Sequence, residues 1–402
     1  MKLLLISYTY NPPYFGGGLT RMIKTLESLK ARGHQVNVLT SGVPGYPVKE
    51  SNTGIIIQRS PIVGTTKIAK GFRRLIFPLW SRSKLSEFKP DIIHVEGLGG
   101  IAPVAEILAL LLLTAAVRNL GSVAIKQHTL ADSEEEMFSV NGFKNRLRLR
   151  AWKKFDAVVS VSPALHYAVS QHFPQKSYCI MNGVDTEVYS PMEETARAQF
   201  RQNSGIDDGE VIFTFLGSIG YRKGFDLLAN AFTELYSDYP NWHLWVVGPG
   251  TKAENQNINE EEVVELRSIL APCGHRVKYW GRIDNEEELV KILGASDIFV
   301  FPSRREGFPN APLEAMACGV PPIISRIPGV TDQANIEGVT GLYCKVGDLD
   351  SLKEKMVVLG TDQELRKKMG SAAHQRILAE FNWKKYICNW EQLYNQLITI
   401  ND

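Results

Sequence analysis

Cysteine is scarce in this chain. Five occur in 402 residues, at positions 179, 273, 318, 344 and 388, and none forms a CxxC pair. An odd, scattered set argues against the disulfide framework of a small secreted domain, and no Cys/His grouping has zinc spacing. Long apolar runs are missing too. The longest, residues 107–117, includes one Thr and is bracketed by Glu106 and Arg118, which is too short to cross a bilayer. The opening Met1-Lys-Leu-Leu-Leu-Ile is interrupted by Ser7-Tyr-Thr-Tyr with no small-residue cleavage site after it, so it does not read as a signal peptide. These absences point to reduced thiols and a cytoplasmic location. No short-period repeat is visible.

What is present is ordinary in amount and uneven in placement. Hydrophobic residues make up 44% and charged residues 22%, as in a globular chain long enough for two or three domains. The formal net charge is only +2. Lys and Arg nevertheless exceed Asp and Glu by 10 over residues 1–190 and fall short by 8 over residues 191–402. A basic half suggests an anionic partner. Two basic clusters, residues 67–82 and 144–154, interleave Leu, Phe and Trp with the charges. That is the pattern of an interfacial membrane helix, here a peripheral contact on the inner membrane face. It is equally the pattern of a solvated helix face over a core. No nucleic-acid recognition motif accompanies the charge, so no nucleic-acid partner is expected.

Strand-like and helix-like stretches alternate throughout, which predicts α/β layers with parallel sheets. The first series of strands falls at residues 3–8, 36–39, 92–95, 123–126 and 157–161. A helix between the first two, about 19–32, carries an apolar face and ends at Gly33. The second series falls at 211–216, 243–247, 277–280, 298–301 and 322–324. A polar stretch poor in strand pattern separates the two. Ligands of such sheets bind outside the carboxyl ends of the strands, so loops there are where chemistry is sought.

One such loop is the most informative stretch of the chain, Phe299-Val-Phe-Pro-Ser-Arg-Arg-Glu-Gly-Phe-Pro-Asn-Ala-Pro-Leu-Glu-Ala-Met-Ala-Cys-Gly. A strand ends at Pro302, and Pro312 opens a helix with Glu314 in its first turn. Glu306 sits in the loop, eight positions earlier. A helix N-terminus suits phosphate, and a carboxylate suits paired hydroxyls of a ribose or hexose. Taken alone, the two glutamates serve equally well as helix-stabilising charges.

The run from Glu306 to Ile323 closely resembles the signature of family 4 retaining glycosyltransferases of the GT-B fold. Pro309 and Asn310 stand where many members have Gly and a small apolar residue. The resemblance implies two Rossmann-like doubly wound domains facing across a cleft. Residues 1–186 would be the acceptor-binding domain, 187–209 a linker, 210–380 the nucleotide-sugar domain, and 381–402 a helix packing back on the first domain. It implies donor contacts from Glu306, Phe308, Pro309, Asn310, Ala311 and Glu314, with Glu306 on the sugar and Glu314 on the ribose.

Other stretches extend the resemblance. Gly16-Gly17 lies at the family's spacing before Gly33-His34 and would allow close approach of the donor diphosphate or the acceptor. The segment Phe215-Leu-Gly-Ser-Ile-Gly-Tyr-Arg-Lys-Gly resembles the family's diphosphate loop. Lys223 matches its Lys, Ser218 stands where its Arg belongs, and Arg222 could supply that charge. His128 matches a His placed near the reaction centre, while a lone His after a strand is also a common structural residue. His94 falls at a second family position, structural or on the acceptor side. Asn182-Gly-Val-Asp185 matches the family's turn at the end of the first domain. The catalytic set implied is thus His128, Lys223 and Glu306. No cofactor or metal is expected beside the nucleotide-diphosphate sugar, for example a UDP-sugar. Asp348-Leu-Asp350 reads as a helix N-cap rather than a metal site. The function implied is transfer of a hexose to a hydroxyl of a polysaccharide, lipid-linked sugar or small metabolite. A nucleotide-sugar epimerase, a non-catalytic nucleotide-sugar binder and a membrane-surface adaptor are the alternatives.

Overall fold

The computed structural model describes residues 1–8, 17–43, 45–61, 67–96, 121–128, 143–255 and 258–401. The chain divides into two compact units, Met1–Met181 with Ile387–Asp402, and Asn182–Tyr386.

The first unit holds an eight-stranded sheet. Its strands are β1 (Lys2–Ser7), β2 (Gln35–Thr40), β3 (Lys49–Asn52), β4 (Ile55–Arg59), β5 (Ile92–Glu96), β6 (Val123–His128), β7 (Ala157–Ser160) and β8 (Ser177–Cys179), in the order β3-β4-β2-β1-β5-β6-β7-β8. Every pairing is parallel except the β3–β4 hairpin at the edge. Strands β1 and β5 are buried almost end to end, as parallel strands covered on both faces must be. The helices are α1 (Gly17–Ala31), α2 (Lys67–Phe88), α3 (Phe143–Trp152) and α4 (Pro163–Ser170). Phe77 and Leu85 of α2 and Trp152 of α3 meet Leu4, Ile6, Ile93 and Val95 in one core. The aromatic residues Phe77 and Trp152, which gave the basic clusters their membrane-like pattern, are therefore buried in protein. Arg146 and Arg150 of α3 are exposed. Residues 107–117 and Gly16 lie outside the described residues. Among the described residues no helix is long and apolar enough to cross a membrane.

The second unit holds six strands, all parallel: β9 (Val211–Leu216), β10 (Trp242–Val247), β11 (Val277–Gly281), β12 (Ile298–Phe301), β13 (Pro322–Ser325) and β14 (Leu342–Cys344), in the order β11-β10-β9-β12-β13-β14. The chain starts in the middle, winds outward to β11, then crosses back to β12. The carboxyl ends of β9 and β12 therefore flank the switch point where doubly wound sheets open a crevice. Its helices are α5 (Glu194–Asn203), α6 (Phe225–Leu235), α7 (Glu260–Ile269), α8 (Glu286–Ala295), α9 (Asn310–Ala317), α10 (Leu349–Thr361) and α11 (Gln363–Glu380), followed by α12 (Trp383–Asn401). From Ile387 onward α12 belongs to the first unit.

Three features depart from the sequence reading. The stretch expected as a linker contains α5, which belongs to the second unit. Arg197 and Arg201 donate to the Asp297 carboxylate at 2.7 and 2.9 Å, and Phe200 stacks on Trp280. Charge rather than an apolar stripe docks this helix, so its pattern looked unstructured. The strands β3, β4, β8 and β14 were not anticipated. Residues 49–52 read Lys-Glu-Ser-Asn, an exposed edge strand without alternation, and β8 and β14 have three residues each. Finally, α9 starts at Asn310, two residues before Pro312, because a proline within the first turn forfeits only an N–H that has no partner anyway.

Candidate active site

The loop after β9 carries a 3-10 turn, Tyr221–Lys223, closed by Gly224. The loop after β12 carries residues 302–309. The two are pressed together at the main chain. Gly224 has φ +70°, and a Cβ there would overlap the Pro302 carbonyl, so only glycine permits this approach. The Arg304 N–H donates to the Arg222 carbonyl at 3.0 Å. The Arg304 guanidinium then grips both Asp226 oxygens, at 2.6 and 2.7 Å, and donates to the Tyr221 carbonyl. A bidentate pair of this kind fixes geometry as well as adding energy.

That clamp delivers Lys223 to Glu306. The Lys223 Nζ donates to Glu306 Oε1 at 2.6 Å, the Ser303 hydroxyl donates to the same oxygen at 2.7 Å, and an Arg222 Nη lies 3.5 Å from it. Lys223 also rides 4.8 Å from the centroid of Phe301. Burial pulls its pKa down, the Glu306 charge opposes that, and the Arg222 charge adds to the lowering. Among the described residues nothing bonds the second Glu306 oxygen, and the remaining Lys223 N–H groups have no acceptor. The centre thus offers a buried carboxylate oxygen and cationic donors side by side, at the crevice end of β9 and β12.

The other residues singled out in the sequence fall in several places. Phe308 is buried against Phe381 at 5.9 Å between ring centroids, so its ring builds core. Its carbonyl accepts from the Asn182 amide at 2.8 Å, and the same amide reaches Asn310 Oδ1 at 2.8 Å. Pro309 is the N-cap residue of α9, and Ala311 lies in the first turn. Because α9 begins early, Glu314 sits one turn inside it rather than in its first turn. The carboxylate there is half-buried, and its charge helps raise the pKa values of Tyr189 and Cys318, behind the larger effect of burial. His128 ends β6 opposite Ser160, and Gly17 opens α1. His94 is interior. One ring nitrogen lies 3.0 Å from the Tyr394 hydroxyl and the other 2.9 Å from the Gln127 side-chain amide, and burial pulls its pKa down to about 3. The structural role is the one its surroundings fit. Asp348 accepts from the Ser351 N–H at 2.9 Å and caps α10. Ser303, Arg304 and Asp226 were missed in the sequence, since only their contact across the two loops marks them.

Comparison with known proteins bears on this centre. Residues 196–376 match the model of "Glycosyl transferases group 1", and residues 15–188 match that of "Glycosyltransferase Family 4". The N-acetyl-alpha-D-glucosaminyl L-malate synthase of Bacillus anthracis is 26% identical over 98% of this chain and 97% of its own. Among solved structures, the sucrose-phosphate synthase of Thermosynechococcus elongatus superposes with a TM-score of 0.81 at 21% identity, covering 99% of both chains. The Anabaena protein HepE, in complex with UDP and glucose, gives 0.77 at 17% identity over 98% of this chain and 100% of its own. Both likenesses establish the fold.

Proposed function

Because the chain belongs to the family 4 glycosyltransferases and has their GT-B fold, we propose that it is a retaining enzyme that moves a hexose from a nucleotide-diphosphate sugar to an acceptor hydroxyl. The observation that carries this reading is the juxtaposition of Lys223, Arg222 and Glu306 at the switch point of the second unit. A diphosphate needs cations where charge develops as it leaves, and Lys223 with Arg222 supplies two. Arg222 here takes the part of the family Arg replaced by Ser218. A hexose needs an acceptor for its hydroxyl protons, and the Glu306 oxygen that no described residue bonds supplies one. Glu314 is assigned to the ribose, with Asn310 and Ala311 at the N-terminus of α9 alongside the donor. His128 is assigned to the donor sugar on the resemblance alone.

In this mechanism the bond from the anomeric carbon to the phosphate oxygen breaks, and the acceptor oxygen bonds that carbon on the same face. The acceptor proton passes to the departing phosphate oxygen. Glu306 orients the sugar rather than acting as the base. A double displacement would need a second carboxylate about 5 Å away across the anomeric carbon, and Glu306 is instead neutralised by Lys223. No metal takes part in this reading, since the protein cations take the charge.

The test is donor turnover. The chain is incubated with UDP-, GDP- and ADP-sugars, and slow release of free hexose is followed, with the first-formed anomer read by NMR. The reading expects one donor to be hydrolysed with retention, and the release to disappear in Glu306→Ala and Lys223→Ala. Binding without release would favour a non-catalytic binder, the alternative that Ser218 supports. Liposome flotation with and without anionic lipid tests the peripheral membrane contact.

A further inference from the structure

Glu254, in the loop after β10, makes an unusual set of contacts for a half-buried loop carboxylate. One oxygen accepts from the Gly250 N–H at 2.8 Å, the Thr251 N–H at 3.0 Å and the Thr251 hydroxyl at 3.1 Å. The other accepts from the Arg282 N–H at 3.0 Å, and the Glu254 carbonyl accepts from Arg282 Nη1 at 2.8 Å. Burial pushes its pKa up, but the N–H donors of Gly250, Arg282 and Thr251 outweigh that and leave it lowered. The carboxylate is therefore ionised at neutral pH and ties the loop after β10 to the loop after β11.

Those two loops adjoin the phosphate loop. The Gly248 N–H donates to the Gly281 carbonyl at 2.8 Å. Gly248 has φ +139°, and a Cβ on it would overlap the Gly217 carbonyl, so the main chains of the β9 and β10 loops touch. Farther along the same segment, Glu262 of α7 accepts from the Tyr221 N–H at 2.6 Å. The stretch following β10 thus braces the Lys223 turn at one end and meets the β11 loop at the other, with Glu254 at the junction.

We propose that Glu254 is a positioning residue for the nucleoside end of the donor. This rests on the reading that the diphosphate lies at Lys223 and the hexose at Glu306. The nucleoside then runs along the strand ends on the β10–β11 side, past Gly217 and Gly281, which are only partly covered. Glu254 fixes the spacing of the two loops that wall that surface, without touching the phosphates.

Isothermal titration of the full chain with UDP, GDP, ADP and inorganic pyrophosphate separates the two ends of the site. Glu254→Ala should weaken the nucleoside diphosphate that wild type binds by about tenfold or more, the loss expected for bonds to a charged group. Glu254→Gln, which keeps one acceptor oxygen, should fall between. Pyrophosphate affinity should stay at its wild-type value in both. If Glu254→Ala fails to fold, the Gln variant carries the comparison. Nucleotide affinity unchanged in the variants, or pyrophosphate weakened as much as nucleotide, overturns the role of Glu254 alone. A wild-type chain that binds none of the three diphosphates overturns the donor reading and this inference with it.

Discussion

Lys223 and Glu306 show how a charge can be interior and still serve chemistry. An unpaired buried ion is strongly disfavoured, and removing one partner of such a pair costs roughly 3–5 kcal/mol. Lys223→Ala should therefore lower stability as well as activity, with donor hydrolysis down on the order of 100- to 1000-fold. Urea midpoints and turnover measured on the same preparation check both. Because the pKa of Lys223 is depressed in the folded chain, its ammonium is lost as pH rises through a value below that of an ordinary lysine. Diphosphate affinity should accordingly fall at a lower alkaline pH than free lysine would dictate, as a pH series of UDP titrations would show. His94 gives a second pH effect, with the opposite sign. Its folded pKa of about 3 lies below the unfolded value of 6.5. Between these values the unfolded chain takes up a proton that the folded chain refuses. Stability is full above pH 6.5 and declines by about 1.4 kcal/mol per pH unit below it. Denaturation midpoints at pH 7 and pH 5 should show this for wild type, and His94→Gln should flatten it.

Among the elements, the glycine between the 3-10 turn and α6 has the sharpest requirement. Gly224→Ala places a methyl into the Pro302 carbonyl in a left-handed conformation, so it should separate the two loops. Lys223 would then lose its hold on Glu306, and donor affinity should fall more steeply than for an alanine elsewhere in the loop. The same scale shows what could be read from the letters. The central strands were legible because parallel strands buried on both faces are continuous apolar runs. The strand at residues 49–52 and helix α5 were not, because one is a polar edge and the other docks through arginine–aspartate pairs. At the site, Glu306 and Lys223 were legible as motif positions. Ser303, Arg304, Asp226 and Glu254 matter through contacts that join separate loops, such as Ser303 to Arg222, Arg304 to Asp226 and Glu254 to Arg282, which spacing does not reveal. Pro312 marks a helix start in the letters, but α9 begins two residues earlier at Asn310, which moves Glu314 out of the first turn.

For the whole molecule, two compact units predict separable responses. A nucleotide that binds only the second unit should stabilise only the part of the unfolding curve that belongs to it, since ligands favour the folded state they bind. Protease resistance of residues 182–386, followed with and without UDP, measures this. Truncation before Ile387 should act the other way. It removes Trp390 and Tyr394, whose rings lie 4.9 and 6.4 Å from His94, and Glu391, which pairs with Arg32 and with His34 at 2.9 Å. Hydrogen exchange should then rise across β5 and β6 while the strands of the second unit keep their protection.

The bond between His94 and Tyr394 spans 300 positions. On a ribosome adding about 5–20 residues per second, roughly 15–60 s pass between the emergence of one and the other. Throughout that interval the first sheet lacks Trp390 and Tyr394, and with them the hydrogen bond to His94. Completion of the first unit thus waits on α12, while the second unit, which lies between the two parts of the first, has all its strands before α12 is made.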